Sequence, residues 1–539
     1  MDIALNLKQK IQNALSKLGQ EVSLNDIIIE KSKDTTHGDY ATNAAMKFCR
    51  LFSKSPRDVA SLIIENIDLD GVDKIEIAGP GFIHIFMKND SLQVFVKKII
   101  DEDENFGRSP RKNLKVNVEF VSANPTGLLH VGTARGAAIG DSICRILDFA
   151  GYDVTSEYYI NDAGSQITNL ALSIQARYKE LFGIEAEIPE DGYAGQDIID
   201  IAKTIKDEIG DEALKMSDPV SYFKEKGMKI ELDRIINDLA VFRVKHDVFS
   251  SEKAIRADNA IEKEIDFLKD YVYEADGALY LKTTAFVDDK DRVIRKGNGD
   301  YTYFMPDICY HVNKMSRGFD QLIDVLGADH HGYINRMKSA LMMHGYKEDA
   351  LHIELIQMVR FLKNGQEFKA SKRRGDAITL RDVCEEVGVD AMRYFFAMRA
   401  ASTHLDFDMD LAIEQSSNNP VYYAQYAHAR LCSVLEQGKD ILLDESAKNL
   451  KEVSELALLK HLADFGNVVN DAAKDKAPYK VTNYIHALAE LVHAFYNECR
   501  VVDRENLEVS GSRLALVKAS KIVLKNALAL IGVSAPIHM

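Results

Sequence analysis

Apolar positions along this chain repeat at period two in some stretches and near 3.6 in others, and the changes divide it into three parts. In residues 1 to 105 both periods occur in short runs. The opening MDIALNLKQKIQNALSKLG reads as an amphipathic helix, Ile27-Ile28-Ile29 as a short strand and residues 41 to 52 as a helix. Pro56 opens a further helix at the first position, where its missing N–H costs nothing. KIEIAG and GFIHIFMK predict two strands around Gly79-Pro80-Gly81, and the hydrophilic run Asp101 to Asn105 with Ser109-Pro110 reads as a linker. An α+β unit is expected.

From 106 to 405 strands and helices alternate, the pattern of an α/β domain. Val116, Val118 and Phe120 alternate with Asn117 and Glu119 in a strand, and Asn124-Pro125-Thr126-Gly127 is a turn. Ile139, Ile143, Ile146 and Leu147 then recur at helical spacing, with His130-Val131-Gly132-Thr133 at the junction. Residues 154 to 160 complete a βαβ unit that ends in Asn161-Asp162-Ala163-Gly164-Ser165-Gln166. Residues 177 to 271 are charged and mostly helical, as expected of an insertion. Asp276-Gly277 between YVYEA and ALYLKT predicts a hairpin, and so does Asn364-Gly365. In TYFMPDICYHVNKMSRG, Ile308, Val312 and Met315 mark the buried side of a helix, while Tyr303, Asp307 and His311 share another face. LIDVLGADHHGY is a buried strand followed by Asp329-His330-His331, and Thr379 with Asp382 cap a helix. Beyond Ser402-Thr403-His404 the β signal ends. Residues 406 to 539 predict an all-helical bundle, from Pro420 with Tyr422, Tyr423 and Tyr426 through segments at 455–473, 481–499 and 511–531.

The 539 residues suit two to four domains, and 46% hydrophobic content suffices for ordinary cores. Six scattered cysteines with no C-x-x-C pair suit free thiols in a reducing cytoplasm, not a zinc site or a disulfide framework. The N-terminus lacks the apolar core of a signal peptide, and Lys518, Lys521 and Lys525 break the apolar C-terminal run, so no membrane span is expected. A net charge of −16 argues against a general nucleic-acid binder. The basic clusters at 108–115 and 369–374 leave room for a local RNA-binding face.

Candidate chemistry gathers where strands end. A helix N-terminus at a strand's carboxyl end is where α/β sheets bind phosphate. Gly132, Ala134, Gly136, Ala137, Ala138 and Gly140 leave a bare face, open either to close sheet packing or to a flat base. Asp307 suits a bound cation or merely the dipole of a helix's first turn. The adjacent histidines diverge and lack further ligands at suitable spacing, so no metal site is expected. Lys369-Ala370-Ser371-Lys372-Arg373-Arg374-Gly375 reads as a solvated turn or a mobile phosphate clamp.

HVGT at 130–133 and KASKR at 369–373 together resemble the HIGH and KMSKS motifs of class I aminoacyl-tRNA synthetases. VEFVSANPTGLLHVG, YYINDAGSQ, DGALYL, DDKDRVIRKGNGDYTYFMPDICYH, GADHHGY, LDFDMDLA and NNPVYYAQYAHARL resemble, in order, the blocks of the bacterial arginyl-tRNA synthetases. HGDYATNAAM is similar to that family's N-terminal domain and the helical end to its anticodon-binding domain. The resemblance spans essentially the whole chain. It implies a Rossmann-type class I catalytic domain at 106–405 with an insertion, an α+β tRNA-contacting domain at 1–105 and an anticodon-binding bundle at 406–539. It also implies a cytoplasmic, monomeric enzyme acting on L-arginine, ATP with Mg²⁺, and tRNA(Arg), with arginine activation depending on bound tRNA.

By match to the motifs, His130, Gly132, Thr133 and Gly136 meet ATP, and Lys369, Ser371 and Lys372 close on its phosphates. His130, Thr133, Lys369 and Lys372 are the implied catalytic set. Glu119 and Asp307 receive the arginine guanidinium, with Tyr303 beside Asp307, Asn124 at the α-amino or carboxylate end, and Gln166 and His330 lining the pocket. Two departures stand out: Thr133 occupies the place of the second histidine of HIGH, and Ala370 that of the methionine of KMSKS. A non-catalytic tRNA-binding relative with a decayed motif is the alternative, and a small-molecule nucleotidylyltransferase leaves the helical end unexplained.

Overall fold

The computed structural model describes residues 3–32, 37–368 and 378–539. Its centre is a five-stranded, all-parallel sheet. From edge to edge the strands are Leu351–Ile356, Gln321–Gly327, Lys115–Glu119, Asp153–Ile160 and Val248–Ser251. In chain order this is the doubly wound arrangement whose winding reverses between Lys115–Glu119 and Gln321–Gly327, so ligands are expected beyond the ends of those two strands. Val116, Val118, Leu322 and Ile323 are buried and supply the layer on which the helices pack.

Helix Ala134–Phe149 crosses the sheet closely because it presents small residues. A Cβ on Gly140 would lie 2.3 Å from the Phe120 ring. Ala134, Ala137, Ala138 and Gly140 are all buried, so close packing accounts for most of the bare face. Gly132 and Gly136 remain accessible.

Val248–Ser251 lies within the stretch expected to be a helical insertion, yet it is the sheet's edge strand. All four residues are half-buried, and such a short run shows neither alternation nor a fully apolar core. Helices Ser165–Glu180, Gln196–Ile209 and Pro219–Val241 precede it and share a core of their own around Ile174, Ile201 and Phe223. The Asp276-Gly277 turn joins antiparallel strands Val272–Ala275 and Ala278–Leu281, with φ of 51° and 73° at the two turn residues, as a two-residue hairpin requires.

In the N-terminal unit the antiparallel sheet runs Glu30–Lys31, Tyr40–Thr42, Phe82–Met87, Val72–Ala78. Ile27 to Ile29 are not a strand; a short 3-10 turn at Leu24–Asp26 precedes them, and pairing starts at Glu30. Residues 101 to 105 are not a linker either, since helix Asn89–Glu102 runs through to a further 3-10 turn at Asp103–Asn105. That helix lies against Val453–Ala463 and Leu507–Leu530 of the bundle, and Gln93 donates to the Leu450 carbonyl at 3.2 Å.

The β structure continues past residue 404: Leu405–Asp408 pairs in parallel with Val359–Lys363. Helices Pro420–Gln437, Val453–Ala463, Phe465–Asp475, Pro478–Glu498 and Leu507–Leu530 form the bundle, the stretch at 455–473 being broken at Asp464. Among the described residues no helix is long and apolar enough to cross a membrane.

Candidate active site

Lys115–Glu119 ends in a carboxylate and leaves the sheet through a strained turn. Val121 and Ser122 take φ of 72° and 41°, a conformation that costs non-glycine residues on the order of 1–3 kcal/mol each. Neighbouring groups hold the turn in place. Ser122 Oγ donates to Glu119 Oε1 at 3.0 Å and accepts from the Tyr159 N–H at 3.1 Å, while the Tyr158 hydroxyl donates to the Ala123 carbonyl at 2.6 Å.

Beyond this turn, His130 caps the HVGT turn: its Nδ1 accepts from the Gly132 N–H at 2.9 Å. That bond assigns the proton of the neutral ring to Nε2, on an exposed side chain. The Thr133 hydroxyl donates to the His130 carbonyl at 2.7 Å, so its hydrogen is spent within the turn. Leu129 and Val131 exchange backbone hydrogen bonds with Leu380 and Ile378 at 2.8 and 3.0 Å. The segment that follows the basic loop is therefore fixed beside His130. Lys369, Ser371 and Lys372 themselves lie outside the described residues. A cavity of about 1070 Å³ opens here, lined by Thr126, His130, Asp197, Asn237, Phe368 and Thr379 among others.

Arg135, fully buried in the first turn of the helix, donates to the carbonyls of Gln357, Ala400 and Thr403 at 3.0, 2.8 and 2.7 Å. It ties the HVGT helix to the segments that lead into the two paired strands Val359–Lys363 and Leu405–Asp408. Burial lowers its pKa to about 10.

On the other side of the switch point, helix Phe304–Ser316 brings Asp307, His311 and Lys314 over the strand ends. Lys314 is ion-paired with Glu119 and, at 3.0 Å, with Asp324, the residue opposite Glu119 in the parallel register. His311 faces the Asp324 carboxylate with Nε2 at 2.7 Å and the Asp307 carbonyl with Nδ1 at 2.7 Å. Two acceptors call for two N–H groups. Burial disfavours that imidazolium, but Asp324 outweighs it and holds the His311 pKa above the ordinary value. The Asp307 carboxylate accepts from the Tyr333 hydroxyl and, among the described residues, has no cation within ion-pair distance. Its pKa is pushed up to about 7, first by burial, with His311 partly offsetting the repulsion from Glu119, Glu252 and Asp324.

The remaining pocket residues are dispersed. Asn124 donates to Gln166 at 2.6 Å, and both are exposed at the strand ends. His330 is exposed, its ring edge-on to Tyr333 at 6.0 Å. The Tyr303 ring is 85% exposed, and only its backbone carbonyl meets Asp307, accepting that residue's N–H at 3.4 Å. Tyr333 is thus the tyrosine beside Asp307. Sequence reasoning missed Tyr333, Lys314 and Asp324. The one available signal was a lone aspartate inside the apolar strand LIDVLG.

Three family models cover the chain. The arginyl tRNA synthetase N-terminal domain matches residues 5–87, the catalytic domain of class I (R) tRNA synthetases 95–431, and the DALR anticodon binding domain 424–539. An arginine–tRNA ligase of Bacillus subtilis (strain 168) is 50% identical across 99% of this chain and 98% of its own length. The chain belongs to the arginyl-tRNA synthetase family. An arginine–tRNA ligase of Geobacillus thermodenitrificans (strain NG80-2) is likewise 50% identical over 99% of this chain and 98% of its own length. The arginyl-tRNA synthetase structure from Thermus thermophilus shares the fold over the whole of both chains, with a TM-score of 0.79 at 21% identity. Membership in this family makes the chain a class I aminoacyl-tRNA synthetase with a parallel-sheet catalytic core and a helical DALR domain.

Proposed function

We propose that the chain activates L-arginine with ATP and transfers it to the terminal adenosine of tRNA(Arg), with Glu119 and Asp307 receiving the guanidinium. One observation carries this reading. Among the described residues, the cluster at the switch point contains three carboxylates, the buried Glu119 and Asp324 and the half-buried Asp307, but two cations, Lys314 and the doubly bonded His311. Glu252 and Glu157 nearby have cations of their own in Arg256 and Arg317. The cluster thus has one carboxylate more than it has cations, Asp307, whose ionised form is matched by one guanidinium. A half-buried carboxylate without a cation is costly, and a planar fork of N–H donors is the partner that meets it best.

The chemistry needs no protein nucleophile. The arginine carboxylate attacks the α-phosphorus of ATP, pyrophosphate leaves, and the tRNA hydroxyl then displaces AMP from the arginyl-adenylate. Positioning and charge stabilisation carry the rate. The exposed His130 Nε2–H serves as a phosphate donor, with Thr133 beside it. Gly132 and Gly136 admit the nucleotide; a Cβ at Gly136 would meet nothing within 4 Å. Lys369, Ser371 and Lys372 clamp the leaving group, and Mg²⁺ enters with the ATP substrate. Asn124, Gln166 and His330 hold the rest of the arginine, and Tyr333 in place of Tyr303 supports Asp307. We assign tRNA contacts to residues 1–105, catalysis to 106–405 and anticodon binding to 406–539, in a cytoplasmic monomer.

ATP–pyrophosphate exchange with arginine, run with and without tRNA(Arg), tests the reading. Exchange is expected only with tRNA. No exchange in either condition overturns the activity and leaves a tRNA-binding relative; full exchange without tRNA overturns the coupling.

A further inference from the structure

Lys314 does not touch the substrate in this reading, yet it sits at the centre of the pocket's charge arrangement. It is fully buried, and its ammonium lies 4.4 Å from the centre of the Tyr310 ring. Its two carboxylate partners occupy directly opposed positions on the strands that flank the switch point. Without a cation between them, such neighbours cannot both stay ionised in a dry site. Lys314 stands seven positions after Asp307 on the same helix, so one helix presents both the uncompensated carboxylate and the cation that organises the other two.

We propose that Lys314 is a positioning residue for arginine selection: by binding Glu119 and Asp324 together it orients Glu119 and holds the pocket at one net negative charge. Lys314 takes one oxygen of Glu119 and Ser122 the other, which fixes the carboxylate plane while leaving each oxygen a second lone pair for the guanidinium. The groups facing the ammonium are Glu119 and Asp324 from the strands, Tyr310 and His311 from its own helix, and Glu157 from the next strand. Glu157 is saturated by Arg317, Ser250, Asn117 and Tyr310, and His311 is committed to Asp324, so none of them replaces Lys314 at Glu119. When the ammonium is removed, Glu119 and Asp324 share a proton. Arginine binding then has to expel that proton as well as the one on Asp307.

The inference rests on the assignment of Glu119 and Asp307 to the guanidinium. Full-length Lys314→Met, Lys314→Arg, Ser122→Ala and Asp307→Asn are compared in aminoacylation between about pH 6 and pH 9, with ATP and tRNA saturating. Lys314→Met is expected to raise the arginine KM by about thirtyfold, with the ATP KM unchanged. It should also steepen the acid limb of log kcat/KM for arginine from a slope of one to two. Lys314→Arg should restore a slope of one. Ser122→Ala, which disturbs the orientation of Glu119 but no charge, should raise the arginine KM several-fold at a slope of one. A slope of one with an unchanged arginine KM in Lys314→Met overturns the proposal, and so does a slope of two in Lys314→Arg or Ser122→Ala. If Lys314→Met does not fold, those two variants still decide. An unchanged arginine KM in Asp307→Asn overturns instead the pocket assignment itself.

Discussion

Replacing Asp307 by asparagine keeps the side chain's shape and an acceptor for Tyr333 while removing the carboxylate that, among the described residues, has no cation. The charge-assisted contact to a guanidinium at such a shielded site is worth about 3 kcal/mol beyond an amide contact. At about 1.4 kcal/mol per tenfold, kcat/KM for arginine should fall roughly a hundredfold, mostly through KM. The pH dependence gives an independent check. Asp307 ionises near 7 in the fold, so wild-type kcat/KM for arginine should fall about tenfold per pH unit below that value and level off above it. The asparagine variant should lose this limb. Stability should move the opposite way. An unfolded aspartate ionises near pH 4, so folding takes up a proton on Asp307 between about 4 and 7. The group's stabilising contribution is complete below about pH 4 and is lost as the pH rises through about 7. Without arginine at pH 8, Asp307→Asn should therefore melt higher than wild type, and added arginine should raise the melting temperature of wild type only. Initial rates of aminoacylation across pH and thermal melts with and without arginine measure both effects. An arginine KM within about threefold of wild type, or an acid limb that survives the substitution, refutes the charge argument.

Two other positions make sharp expectations. Gly140→Ala places a methyl 2.3 Å from the Phe120 ring, and the overpacking should lower stability by about 1–3 kcal/mol in a denaturant melt. A variant as stable as wild type would mean that the helix and strand separate freely. Thr133→His offers a ring N–H where the present hydroxyl is spent on the His130 carbonyl at 2.7 Å. Tenfold or so faster pyrophosphate exchange at unchanged arginine KM is expected, within the range a transition-state donor supplies; a slower but folded enzyme would show that the turn itself needs the threonine.

The chain's local rules were legible wherever a residue type is almost dictated by backbone geometry. Asp276-Gly277 and Asn364-Gly365 form hairpin turns with positive φ, Pro56 and Pro420 open helices, and Thr379 with Asp382 forms a capping box. His130 at a helix start was readable for the same reason, since the cap and the strand–helix junction are both local. Elements that depend on partners were not. Val248–Ser251 and Leu405–Asp408 are strands because parallel neighbours accept them: VFSS shows no alternation, and LDFD alternates over only four residues, too few to announce a strand.

The sequence by itself determined the family blocks, the turns and helix caps and most of the longer elements, because periodicity, turns and caps are written over a few residues. Tertiary structure alone decided the pairing of charges. Glu119 lies 195 positions from Lys314, which in turn precedes Asp324 by 10, and the three meet only because two parallel strands are in register under one helix. It also decided which tyrosine serves Asp307: Tyr303, four positions away on the helix, faces solvent, while Tyr333 arrives from the turn after the next strand. Charge balance in a buried site is a sum over neighbours in space, and no window of sequence contains all of its terms.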